Sequence, residues 1–152
     1  MRETTIRAPR PAIGANPHGK KLLDLDSLLE ETESAGQLDG VILMSGSGDV
    51  LAGWSHRGLR QEVLSIMSAT LTGSVEMLLE EIRGRKPRQI LVEADDRRLL
   101  VSRTGDDALL VLVAPLSVSK SRLTALASDL LRQIAALPEV EAGDRQAVQS
   151  RT

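Results

Sequence analysis

Thirteen consecutive residues, Val63 to Val75, carry no charge, although they sit between Glu62 and Glu76 in what otherwise reads as a long surface helix. A helix lying on one sheet needs a single apolar stripe, and water keeps its other side polar and usually charged. At about 100° per residue, Val63, Leu64, Met67, Leu71, Val75, Leu78, Leu79 and Ile82 share one broad arc, which the periodicity assigns to the sheet. The opposite side carries Ser65, Ala69 and Gly73 at i, i+4 and i+8, flanked by Ile66 and Met77. Small residues at that spacing let a second backbone come close, and a mid-helix glycine that costs about 1 kcal/mol relative to alanine argues against a plain solvated face. The expectation is a helix covered on two sides, with a second copy of the chain as the outer cover.

At 152 residues the chain has room for one domain with tails. Trp54 is its only aromatic residue, so the core must be aliphatic. Single-stranded nucleic-acid binders stack bases on aromatic side chains, and a net charge of −2 offers no general attraction to phosphate backbones, so no nucleic-acid partner is expected. The absence of cysteine excludes thiol catalysis, disulfides and thiolate metal sites. The N-terminal region lacks the apolar stretch of a signal peptide, and the longest apolar run, Ala108 to Leu116, is far shorter than the ~20 residues that cross a bilayer. No transmembrane segment and a cytoplasmic location are the default expectations.

Residues 1–21 read as a flexible basic arm: Pro9, Pro11, Pro17, Gly14 and Gly19 interrupt it, and Arg2, Arg7, Arg10, Lys20 and Lys21 face only Glu3. The sign then reverses, with Asp24, Asp26, Glu30, Glu31, Glu33, Asp39 and Asp49 before the next basic residue, Arg57. Ser27-x-x-Glu30 reads as a capping box opening a short helix with Leu25, Leu28, Leu29 and Thr32 on one face, ended by Gly36. Gly40–Ser45 and Val50–Trp54 read as strands joined by the turn residues Gly46 to Asp49. The long helix follows, from about Arg60 to Arg83, stopped by Gly84 and blocked by Pro87. Strands are predicted at Gln89 to Ala94, Arg98 to Arg103 and Ala108 to Ala114, with hairpin turns short enough to make them antiparallel. The last of these is apolar on both faces and belongs at the sheet centre. A final helix, Ser117 to Leu137, ends at Pro138, leaving residues 138–152 as a polar tail. The order is αββαβββα, an α/β fold of the α+β type.

The strand Gln89, Ile90, Leu91, Val92, Glu93 follows the helix crossover and begins a meander, which places it at the sheet edge. It lacks the inward charge, proline or bulge that usually protects edges. A two-fold axis beside it would pair the strand with its copy and bring the two long helices together. The predicted dimer interface is therefore Ser65, Ile66, Ala69, Gly73 and Met77 with Gln89 to Glu93.

The segments Leu38 to Met44, Ser47 to Ala52, Ser65 to Gly73, Gln89 to Glu93 and Gly105 to Val111, in this order and spacing, resemble the Roadblock/dynein light-chain family. The resemblance covers residues 22–137. It implies a profilin-like sandwich with a five-stranded antiparallel sheet, the long helix on one face and the terminal helices on the other. It further implies a homodimer with a continuous ten-stranded sheet. Bacterial and archaeal members typically bind and regulate small Ras-like GTPases, while eukaryotic members serve as motor light chains or signalling scaffolds. The arm and the tail fall outside the resemblance.

No catalytic set emerges. Gly14 to Lys21 fits G-x-x-x-x-G-K but has Lys21 where the Mg²⁺-ligating Ser or Thr belongs, and no strand precedes it. Gly46-Ser-Gly48 leads into a strand rather than the helix that dinucleotide binding needs. His18 and His56 have no local His or Cys companions, so neither a metal nor another cofactor is expected. Asp95-Asp96 and Asp106-Asp107 read as solvated turn formers. Arg57 is a candidate partner contact, as an arginine finger toward a bound nucleotide, beside the exposed turns of the long helix and the acidic first helix; a solvated loop arginine is the simpler reading. The function expected is that of a noncatalytic homodimeric regulator or adaptor of a small Ras-like GTPase. The alternatives are a scaffold subunit without a GTPase and, ranked lower, a small-molecule sensor holding a ligand between sheet and helix.

Overall fold

The computed structural model describes residues 5–7, 17–35, 37–105 and 107–137. Its elements are β1 (Thr5–Arg7), α1 (Pro17–Ser34), β2 (Gly40–Ser45), β3 (Val50–His56), α2 (Gln61–Glu81), β4 (Gln89–Glu93), β5 (Arg97–Thr104), β6 (Ala108–Pro115) and α3 (Lys120–Ala135). The five predicted strands form an antiparallel sheet in the order β3-β2-β6-β5-β4, and the short β1 adds a sixth strand beyond β3. The apolar run of β6 lies between β2 and β5 with six successive residues, Leu109 to Ala114, buried. Its two-sided burial follows from its alternating side chains entering two separate cores.

On one face, Leu25 and Leu29 of α1 and Leu123, Ala127 and Leu130 of α3 cover Val41, Leu43, Leu100, Leu110 and Leu112. Trp54 is buried in this layer, and its indole N–H donates to Thr32 Oγ1 at 2.8 Å, satisfying the donor that an apolar core would otherwise strand. On the other face, Ile42, Met44, Val101, Leu109, Val111 and Val113 make the second core, with Leu64, Ala69 and Leu71 of α2 packed against it.

Three expectations need correction. The helix α1 begins at Pro17, inside the segment expected to be a flexible arm, and Ser27 lies in its interior, so the capping box does not open it. Proline suits a first helical turn, where its missing N–H has no intrahelical partner to lose. Thr5–Arg7 is likewise a strand rather than part of an arm, pairing with Trp54 to His56. The rest of the arm, including Gly14 to Asn16 of the phosphate-loop match, and the tail from Pro138 lie outside the described residues.

The third correction concerns α2, which is rotated about a quarter turn from the predicted orientation. Its buried residues are Gln61, Ser65, Ser68 and Thr72, while Val63, Met67 and Leu78, expected against the sheet, are exposed. The hydroxyls bear burial because they bond within their own helix: Ser65 Oγ donates to Glu62 O at 2.9 Å and Thr72 Oγ1 to Ser68 O at 2.8 Å. Being small, they let the helix sit low on the sheet. The β2–β3 turn comes equally close; a side chain at Gly48 would stand 3.3 Å from the Ile66 Cα, and its φ of +104° already favours glycine.

This orientation makes Ser68→Leu a discriminating change. Overpacking a close contact should lower unfolding stability by about 1–3 kcal/mol in urea titrations. An unchanged midpoint would mean that this arc does not meet the sheet.

Candidate interaction surface

The turn into α2 carries Arg57, which is exposed, and Arg60 as the extended N-cap. From there the helix presents Val63, Ile66, Met67, Met77 and Leu78 to solvent, with Met77 and Leu78 69% and 67% exposed. Gly73 lies on the same open side; a Cβ there would meet nothing within 4 Å. Of the predicted interface residues on α2, the structure thus leaves Ile66, Gly73 and Met77 on the open side. Ser65 is turned fully inward and Ala69 is half-buried on the Gly48 side. Periodicity alone missed Val63, Met67 and Leu78. The signal for them was the Ser65/Ser68/Thr72 arc, which can self-satisfy and pack closely. By length and composition α2 would pass for a bilayer-crossing helix. Its seat on the chain's own sheet gives one side a different role.

Among the described residues β4 forms the sheet edge and pairs only with β5, in the register Gln89↔Ser102 to Glu93↔Arg98. Ile90 is half-buried against the second core, whereas Gln89, Leu91, Val92 and Glu93 are exposed. The far end of the strand is fixed by charge. Arg98 donates from Nε to Glu93 Oε1 at 3.0 Å and from its guanidinium to Leu116 O and Val118 O, and Lys120 lies 3.4 Å from the same carboxylate. The hydrogen bond from Arg98 holds the Glu93 carboxyl below the ordinary carboxylate range, with Lys120 adding to the effect and partial desolvation opposing it. At the near end the Arg103 guanidinium pairs with Glu76 and reaches Pro87 O, tying β5 to α2 and to the loop before β4.

A groove of about 170 Å³ opens between α1 and α3, floored by Leu28, Leu38, Leu126 and Leu130 and rimmed by Glu31, Asp129 and Gln133. It lies between two helices, away from the sheet-and-helix gap that a ligand sensor of the kind considered above would use. Among the described residues no group of three or more His, Asp or Glu could hold a metal ion.

The model of the Roadblock/LC7 domain matches residues 24–114, more than half of the chain. The chain belongs to that family. Solved Roadblock/LC7 structures share its fold. A Roadblock/LC7 domain from Streptomyces avermitilis is 21% identical, with a TM-score of 0.63 over 72% of this chain and 93% of that one. The gliding protein MglB from Thermus thermophilus is 19% identical, with a TM-score of 0.65 over 82% and 91%. The profilin likeness also holds: a Schizosaccharomyces pombe profilin is 13% identical, with a TM-score of 0.54 over 74% of this chain and 98% of that one. Among curated proteins none matches this chain in sequence.

The Glu93 cluster predicts a pH effect. A carboxyl whose folded pKa is depressed contributes stability above its unfolded value, near 4.5, and loses it as pH falls through the lower folded value. Melting temperature should therefore drop more steeply from about pH 5 to pH 3 in the parent chain than in Glu93→Gln, with a modest difference because the pair is solvent-screened. Parallel curves would mean that the cluster adds nothing.

Proposed function

We propose that this Roadblock/LC7 chain is a noncatalytic homodimeric regulator of a small Ras-like GTPase, acting through its surfaces. The observation that carries the reading is the exposed apolar outer face of α2, together with a β4 edge that has no partner strand among the described residues. Large exposed apolar patches on soluble domains mark interaction sites. Burying five half-exposed side chains on each of two copies yields roughly 7–15 kcal/mol gross. Association costs about 4–15 kcal/mol. The helix face alone is thus marginal, and β4 must pair with its copy for a stable dimer. A two-fold axis along β4 supplies both contacts at once.

In this reading the interface keeps Ile66, Gly73, Met77 and Gln89 to Glu93 and gains Val63, Met67 and Leu78. A GTPase would then be regulated by differential affinity for its two nucleotide states, a shift in populations without bond chemistry by this chain. The family resemblance supports a GTPase as partner. The scaffold alternative shares every structural feature and differs only in what is bound. Arg57 is exposed at the β3–α2 turn, which supports a partner contact, and its role as a finger is the part of this reading most easily separated from the rest.

Two experiments test the proposal. Light scattering at micromolar concentration should give a dimer mass for the parent chain and a monomer mass for Gly73→Glu and for Leu78→Glu; dimers in both variants would remove the proposed contact. A pull-down with a Ras-like GTPase from the same genome, loaded with GDP or a GTP analogue, should show at least a fivefold preference for one state. Equal failure in both would end the regulator reading. Arg57→Ala that leaves stimulated hydrolysis intact would end only the finger.

A further inference from the structure

The loop between α2 and β4 reads Arg83-Gly-Arg-Lys-Pro-Arg88, and no acidic residue occurs from Ile82 to Val92. Arg83, Arg85, Lys86 and Arg88 are all exposed, and among the described residues none of them takes part in an ion pair. Glu80 and Glu81 precede the loop on the last helical turn and offset part of its charge. Glu76 does not, being paired with Arg103. The loop is anchored at its base: Arg103 N–H donates to Arg88 O at 2.9 Å, and the Arg103 side chain reaches Pro87 O. Four cations are therefore held outward on a supported turn, and Ile82, 74% exposed, adjoins them at the helix end.

Arg83 makes the arrangement unusual. Its φ is +56°, the left-handed conformation that glycine adopts most easily. Arg83 N–H bonds to Glu80 O and Gly84 N–H to Leu79 O, so arginine occupies the position of the helix-ending motif where glycine is preferred. Strain of this kind collects at functional sites. Here the strained residue adds a charge to a cluster of like charges, which folding by itself does not favour.

We infer that this loop is a docking surface for anionic lipid at a membrane–water interface. The cations stand on an exposed turn rather than converging in a pocket, which suits a diffuse negative surface better than a single phosphate. Ile82 supplies an apolar contact beside the charges, as interfacial anchors do. The chain's one aromatic of the Phe, Trp and Tyr class, Trp54, is buried, so the loop has no aromatic platform for nucleic-acid bases. Each cation near an anionic bilayer raises partitioning about fivefold. One loop gives weak attachment, and the two loops of a dimer would multiply it. The surface does not rest on the GTPase reading, and only its avidity rests on the dimer.

The test is co-sedimentation of the full chain with phosphatidylcholine vesicles, with and without about one third phosphatidylglycerol, across a salt series. Binding should require phosphatidylglycerol and fall more than tenfold between about 0.05 and 0.5 M salt. The double variant Arg85→Gln/Lys86→Gln should bind about 25-fold more weakly. Arg83→Gly should bind about fivefold more weakly while melting at a higher temperature, separating charge from fold. Three results would each overturn the inference: equal binding to neutral vesicles, undiminished binding by the double variant, or retention on polyglutamate resin with no vesicle binding. A chain that sediments with anionic vesicles yet fails every GTPase pull-down keeps this surface and loses the regulator reading.

Discussion

The close seating of α2 on the sheet governs much of what this molecule presents to solvent. Ser65, Ser68 and Thr72 are short enough to let the helix settle against Ile42, Val101 and Val111, and at least two of their hydroxyls bond back into the helix, so no sheet partner is needed. A helix seated by small residues has its long aliphatic side chains left over. Some, such as Leu64 and Leu71, reach the sheet from the flank. Val63, Ile66, Met67, Met77 and Leu78 cannot, and they form the exposed apolar ridge. Tight packing inside and stickiness outside are two consequences of one choice of side-chain size.

The sheet distributes its burden unevenly. Toward β6 each strand has neighbours on both sides and side chains committed to both cores, and an aliphatic interior suffices because helices cover both faces. Toward β4 the covering thins, and the strand depends on the Arg98–Glu93–Lys120 cluster at one end and the Arg103–Glu76 pair at the other. Charge does there what packing does at the centre. Such contacts fix position more than they add stability, because exposed pairs contribute little net free energy. An edge positioned this way keeps its outer backbone groups open to another strand.

Much of this was legible in the chain. The two-faced apolar run of β6, the glycine-rich β2–β3 turn and the short loops of the last three strands each admit few geometries, and the order of elements then puts β4 at the edge. The face of α2 was not legible from periodicity, because its sequence offers two contiguous uncharged arcs. Hydrophobicity favours the aliphatic arc, and only close packing explains the choice of the hydroxyl arc. The start of α1 was missed for a related reason: Ser27 and Glu30 have the spacing of a capping box, yet that spacing also occurs inside a helix that began earlier at Pro17. The pairing of Thr5–Arg7 with β3 is a long-range contact of three residues with no pattern long enough to announce it.

The end of α2 shows how a sequence rule can succeed for a different reason than the one it cites. Gly84 was expected to stop the helix, and glycine at such an end most often takes the left-handed turn. The helix does stop there, but Arg83 takes the turn and Gly84 sits one position further on, where a side chain would come within 3.3 Å of Leu79 O. Glycine's lack of a Cβ is thus used for proximity, while the conformation it tolerates best is borne by arginine at a cost on the order of 1 kcal/mol. An ordinary solution, with glycine at both positions, would end the helix with less strain. That the chain carries a charge at this point instead ties the helix terminus to the basic loop that follows, and makes the shape of that loop depend on how α2 ends.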